Sequence, residues 1–224
     1  NCVGNIAQIR NRTPEGTKIL IEALILAGIT IMIVGNTRSV ASIEHNMGHY
    51  WEMKLLARKE ETPAHGTAVG VGTVYSLRFF DQFLTLDQSG IDKEQIKRNR
   101  LTQEERSQQM KEGYGDKIGQ AIMEENPEDF LSWDEQSRRI EAVIANMDLI
   151  RKIVDFLPSA DEMIRILKEL GAPTTAAEIG VDHKLLRDTL RYARSRYTVL
   201  KTLDELGLLN DIIERVLNEE HEAK

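Results

Sequence analysis

The sequence predicts an all-α chain, on three observations. No stretch alternates apolar and polar residues for long enough to make a strand. Helix start and stop signals recur instead, beginning with Thr13-Pro14-Glu15 and Gly35-Asn36. From near Asp134 the last block reads as long helices punctuated at Pro158, Gly171-Ala172-Pro173 and Gly207.

Each element follows from its own signals. Thr13 caps and Pro14 opens a first helix, which Gly35 stops, so it spans about Pro14 to Val34. It is apolar nearly all round, which predicts a central, buried position. A second helix begins near Ser39 and carries His45, His49 and Met53 on one stripe. Pro63 opens a third, running to about Leu84. Its start, "HGTAVGVGT", lacks the Gly-Lys-Ser/Thr ending and the preceding strand of a phosphate-cradling loop. Gly66, Ala68, Gly70 and Gly72 are instead expected to let a neighbouring backbone approach closely. From Asp87 to about Asp134 the chain turns polar, as solvated amphipathic helices with Thr102 as a cap. The last helices lie around Glu135 to Phe156, Ala160 to Leu170, His183 to Leu206 and Leu208 to Asn218. The expected organisation is a single helical domain over residues 1–224. Its parts are the histidine-bearing helices (1–86), a polar helical excursion (87–134) and the carboxyl-terminal helices (135–224).

Composition excludes several function classes. With 41% hydrophobic and 29% charged residues in 224, the chain can bury a core and is no disordered tail. A net charge of -7 argues against a nucleic-acid or anionic-membrane surface and leaves small molecules or protein surfaces as partners. The single Cys2 excludes an internal disulfide and a cysteine-built zinc site, in keeping with a reducing cytoplasm. Glu22 interrupts the apolar run Ile19 to Val34, and the uncharged remainder covers about half of the roughly 20 residues a bilayer needs. No membrane span is therefore expected. The start "NCVGN" has no initiating Met and is taken as the interior of a longer chain, of which this is the carboxyl-terminal part.

Three of the five histidines lie close together in sequence. His45 and His49 are one turn apart on one helical face, with Glu52 three residues further on. That spacing serves a metal, or stacks without one. His65 opens the next helix and is followed by Gly66. Zinc and similar ions take neutral imidazoles from residues far apart in sequence, and catalytic sites keep one position open. Geometry sets a condition. Were the second helix to run unbroken to Arg58 and turn tightly, His65 would face position 56, ~16 Å along the axis from His45. Either the helix ends early or the run Ala57 to Ala64 travels back beside it; eight extended residues cover roughly 26 Å.

"TRSVASIEHNMGHYWEM" followed by "HGTAVGVGT" resembles the helical domain of the iron-containing alcohol dehydrogenase superfamily, and within it the glycerol-1-phosphate dehydrogenase group. That group shows Ser-Arg-Pro-Ala-Ser-Gly-x-Glu-His, a second His four residues on, and His-Gly-x-x-Val-Gly. Arg38, Glu44, His45, His49, His65, Gly66, Val69 and Gly70 match, and Arg194 to Leu209 looks like the group's closing helix. Ser39 stands where Pro is usual, Ala41 where Ser is, and Ser42 where Gly is, while Ile43 is bulky. These departures bear on phosphate and substrate contacts more than on the metal.

The resemblance implies a divalent metal, zinc first with nickel or iron as alternatives, held by His45 and His65. The family's third ligand is an Asp upstream of the first histidine, and no Asp precedes Asp81 here. That ligand and the nucleotide-binding domain are expected outside this chain, so no residue here is assigned to NAD or NADP, and the chain alone is expected to be inactive. The implied reaction is hydride transfer between the nicotinamide and the carbonyl carbon of dihydroxyacetone phosphate, with the ion as Lewis acid. His49 is the implied catalytic residue, orienting substrate or relaying a proton. Arg38 would pair with the substrate phosphate through its fork of donors, and Glu44 would touch substrate or orient an imidazole. The expected partners are a phosphorylated small molecule and, for the apolar helices, the nucleotide domain or a second copy of the chain.

Two other readings stay open. The His-x-x-Gly-His-x-x-Glu pattern of dehydroquinate synthases, which are lyases, fits His45, Gly48, His49 and Glu52. That family usually has Asn-Phe/Tyr-Gly before the first histidine, where this chain has Ser42-Ile43-Glu44. The other reading is a helical interaction domain whose histidines do no chemistry.

Overall fold

The computed structural model describes residues 2–126, 130–193 and 198–222. They form α-helices joined by short 3-10 turns, with no strand among the described residues, so the chain is all-α. Arg194 to Tyr197, part of the expected closing helix, lie outside the described residues.

The helices are α1 (Ile6–Arg10), α2 (Pro14–Val34), α3 (Ile43–Arg58), α4 (His65–Leu84), α5 (Lys93–Arg98), α6 (Gln103–Tyr114), α7 (Asp116–Glu125), α8 (Trp133–Ala145), α9 (Met147–Val154), α10 (Ala160–Leu170), α11 (His183–Tyr192), α12 (Val199–Glu205) and α13 (Leu209–Glu222). The local signals act as expected at many ends. The Thr13 hydroxyl accepts from the Gly16 amide at 3.0 Å, and Gly35 closes α2 at φ 75°. Thr102 and Glu105 cap α6 reciprocally. The helix expected from Glu135 to Phe156 is instead two, broken at Asn146, whose side-chain amide donates to the Ala142 carbonyl at 2.8 Å. A short amide side chain that bonds nearby backbone competes with helix continuation.

The described residues fall into two compact units, 1–78 with 158–183 and 79–157 with 184–224. In the first, α3 buries Ile43, Met47, Tyr50, Trp51 and Leu55, while α4 buries Ala68, Val71, Val74 and Tyr75. Small residues set how closely these helices approach. A Cβ on Gly72 would stand 2.8 Å from the Glu44 carbonyl oxygen, and one on Gly48 would touch Val69 at 3.4 Å. The expectation for the small stripe holds at Gly72, whereas a Cβ on Gly66 would meet nothing within 4 Å. Trp51 lies edge-on to Tyr75, whose hydroxyl oxygen accepts from the Ala176 amide at 3.1 Å.

The structure overturns the buried position expected for α2. Leu24, Met32 and Ile33 are 71%, 82% and 80% exposed, and Gly16 is the one residue of the helix that is buried. Its chief packing partners are α1 and the turn Thr37–Ser39. An apolar surround determines that a helix gains by being covered, but its chief partners, the five-residue α1 and the turn Thr37–Ser39, are too short to wrap a helix of 21 residues. By length and composition α2 meets the requirement for crossing a bilayer, a test that buried core helices also pass.

The second unit holds the polar stretch more firmly than its composition suggests. The α6 residue Gly113 lies where a Cβ would come within 2.6 Å of the Tyr192 ring, and Arg106 pairs with Asp204 at 2.6 Å. The α8 residue Gln136 is buried and donates to the Glu205 carbonyl at 2.7 Å.

Candidate metal centre

The candidate site lies wholly within the first unit. Helical spacing puts His45, His49 and Glu52 on one face of α3, with Glu44 beside them. The helix runs unbroken to Arg58, whose guanidinium donates to Asp182 at 2.7 Å. Lys59 then ends it in the left-handed region at φ 59°. The return path meets the geometric condition. From Glu52 to Arg58 the helix rises about 9 Å, and the link 59–64 has reach enough to carry the chain back over that distance. His65, the first residue of α4, thereby meets Glu52 rather than position 56.

Every imidazole in the group has its Nδ1 on a carboxylate. His45 Nδ1 lies 3.0 Å from Glu44 Oε1, His65 Nδ1 lies 2.7 Å from Glu52 Oε1, and His49 Nδ1 lies 3.3 Å from Glu52 Oε2. Glu44 Oε1 also accepts from the Ser42 amide at 2.8 Å, satisfying a donor at the start of α3. The His45 and His65 rings meet edge-on with centroids 5.5 Å apart, and the His49 and His65 rings stack at 4.8 Å. The His49 side chain is 65% exposed and Glu52 24%. Partial burial works to raise the Glu52 carboxyl, but hydrogen bonds and charge interactions with His65 and His49 outweigh it and hold the group below the usual glutamate value.

These donors fit a divalent cation. An imidazole whose Nδ1–H is bound to a carboxylate presents a bare Nε2, the usual arrangement of a metal-bound histidine. Two imidazoles sharing one ion at Zn–N distances of about 2.0–2.1 Å would have ring centroids roughly 5 Å apart at a tetrahedral angle. The observed 5.5 Å between His45 and His65 is close to that. His49, Glu52 and His65 also offer ligand atoms that all lie within 4.8 Å of one another. Arg38 stands in the turn Thr37–Ser39, its side chain outside the described set. Sequence spacing marked Glu52 as a carboxylate on the histidine face; that it serves two imidazoles on two helices could not be seen there.

The chain has relatives among curated proteins. It is 28% identical over 209 residues to a glycerol-1-phosphate dehydrogenase (NAD(P)+) of Geobacillus stearothermophilus, a match covering 92% of this chain and 43% of the relative. A Bacillus licheniformis protein of the same name is 23% identical over 215 residues, covering 95% and 40%. One from Aeropyrum pernix is 42% identical over 62 residues, covering 28% of this chain and 16% of its own. The chain thus spans about two-fifths of the length of the first two. No family model matches the chain, and no solved structure does. Along nine-tenths of its own length, the chain is a relative of the glycerol-1-phosphate dehydrogenases.

Proposed function

We propose that the chain is the helical, metal-binding part of a cytoplasmic NAD(P)-dependent dehydrogenase that interconverts dihydroxyacetone phosphate and glycerol 1-phosphate. What supports the reading above all is the gathering of His45, His49 and His65, residues that match the group's motif, with each Nδ1 on a carboxylate. A divalent cation between His45 and His65, with zinc the first candidate, would polarise the substrate carbonyl and stabilise the alkoxide formed on hydride transfer.

The chain's own residues prepare that step. Glu44 and Glu52 hold the imidazoles so that Nε2 is the atom offered to the ion. His49, one turn from His45 and largely exposed, orients the substrate and relays its hydroxyl proton. Arg38, in the turn leading into α3, receives the phosphate through its guanidinium fork. The nicotinamide nucleotide and a further carboxylate ligand are assigned to the remainder of the full-length protein. A second copy of the chain, or that remainder, is the proposed cover for the exposed face of α2.

The test is metal content together with NAD(P)H oxidation on dihydroxyacetone phosphate by the full-length protein, with His45→Ala and His65→Ala beside the wild type. Each variant is expected to lose both the metal and the turnover. Wild-type metal content in both variants would remove the site and the dehydrogenase reading with it.

A further inference from the structure

The geometry points to Glu52 as a positioning residue that sets the tautomer and orientation of His65 and His49 with one carboxylate. This deepens the dehydrogenase reading and rests on it for the identity of the ion. The two oxygens are used separately, Oε1 for His65 at 2.7 Å and Oε2 for His49 at 3.3 Å. An ionised carboxylate only accepts, so each ring must donate its Nδ1–H. In a neutral imidazole this leaves Nε2 as the one atom able to bind a metal or take a proton.

Glu44 and Glu52 differ in what they join. Glu44 binds His45 and the Ser42 amide, all at the beginning of α3. Glu52 joins α3 to α4, because His49 and Glu52 are neighbours at i, i+3 while His65 arrives over the link 59–64. The stacking of His49 on His65 at 4.8 Å makes the pair a unit. Glu52 therefore couples the α4 metal ligand to the imidazole that handles the proton. Loss of the carboxylate lets each ring turn or change tautomer, and a ring with its proton on Nε2 offers only Nδ1, the nitrogen on the side that faced the carboxylate.

The experiment uses the full-length protein with histidine 15N labelling, comparing wild type, Glu52→Gln and Glu52→Ala. Ring nitrogen shifts of the metal-free protein report the tautomers, and titration with zinc alone reports affinity. In the wild type, His49 and His65 are expected to carry the proton on Nδ1. A glutamine oxygen can accept from one ring only, and its NH2 donates to the other, so Glu52→Gln should move one ring to the Nε2–H tautomer. Zinc affinity should fall about 10- to 100-fold, as for other carboxylates behind a metal-bound histidine. Unchanged tautomers and zinc affinity in both variants, with wild-type melting as the fold control, would overturn the assignment. So would loss of zinc as complete as in His65→Ala, which would make Glu52 a ligand. If His45→Ala and His65→Ala keep their zinc, the dehydrogenase reading fails, and the tautomer signature still decides whether Glu52 orders the rings.

Discussion

At the scale of single residues, carboxylates do the organising. Glu178 is the clearest case outside the candidate site. Its Oε2 accepts from the Thr174 amide at 2.7 Å and the Thr175 amide at 2.9 Å, with both threonine hydroxyls adding to them. The Thr174 amide does most to hold this carboxyl below its ordinary 4.5; slight burial opposes it, and the bonds from Thr175 reinforce it. A carboxyl lowered on folding contributes stability above its unfolded value, and that contribution is lost as the pH falls through the folded one. The melting temperature of the wild type should therefore exceed that of Glu178→Gln near neutral pH. The gap should close as the pH falls below the ordinary glutamate value and through the lowered one. A gap constant with pH would mean that these bonds contribute nothing through ionisation. Two amides converging on one oxygen belong to the folded turn, and the spacing of residues does not record them.

At the scale of elements, the α3–α4 pairing decides whether a site exists, and glycine positions decide the pairing. Gly70 and Gly72 stand two residues apart in α4 and should respond oppositely to alanine. A Cβ on Gly70 meets the Leu167 side chain at 3.7 Å, an ordinary contact, so Gly70→Ala gains helix propensity of up to about 1 kcal/mol. A Cβ on Gly72 meets the α3 backbone at Glu44 at 2.8 Å, and backbone cannot swing aside as a flexible side chain can. Gly72→Ala should cost about 1–3 kcal/mol in urea unfolding despite the same propensity gain. It should also weaken zinc binding, since α3 carries His45 next to the displaced residue. Equal stability of the two variants would show that α3 and α4 are packed less closely here. The glycine stripe was legible in the sequence as a sign of close approach. Which glycine faced the neighbour was not, because helical phase against a partner depends on the partner.

At the scale of the molecule, α2 is the element most at odds with expectation. Its caps were legible, and its ends fall at Pro14 and Val34 as predicted. Its exposure was not. Because Leu24 and Met32 face solvent, the double substitution Leu24→Lys, Met32→Lys should leave the stability of this chain within about 0.5 kcal/mol of wild type. It should also reduce concentration-dependent association in sedimentation, since large exposed apolar patches drive contacts between molecules. A loss of several kcal/mol in the chain itself would mean that these side chains are covered within it.

What the sequence by itself determined was the all-α class, many of the helix ends, the shared face of His45, His49 and Glu52, and the resemblance that named a metal. These follow from caps, punctuation and periodicity, which act within one or two turns of chain. Only the tertiary structure decided the path of the link 59–64, the sharing of Glu52 between His49 and His65, the contact of Gly72 with Glu44, and the bare flank of α2. Each of these is a meeting, or a missing meeting, of groups far apart along the chain or on different helices. The spacing of residues within one helix carries no record of which surface another helix will bring to it.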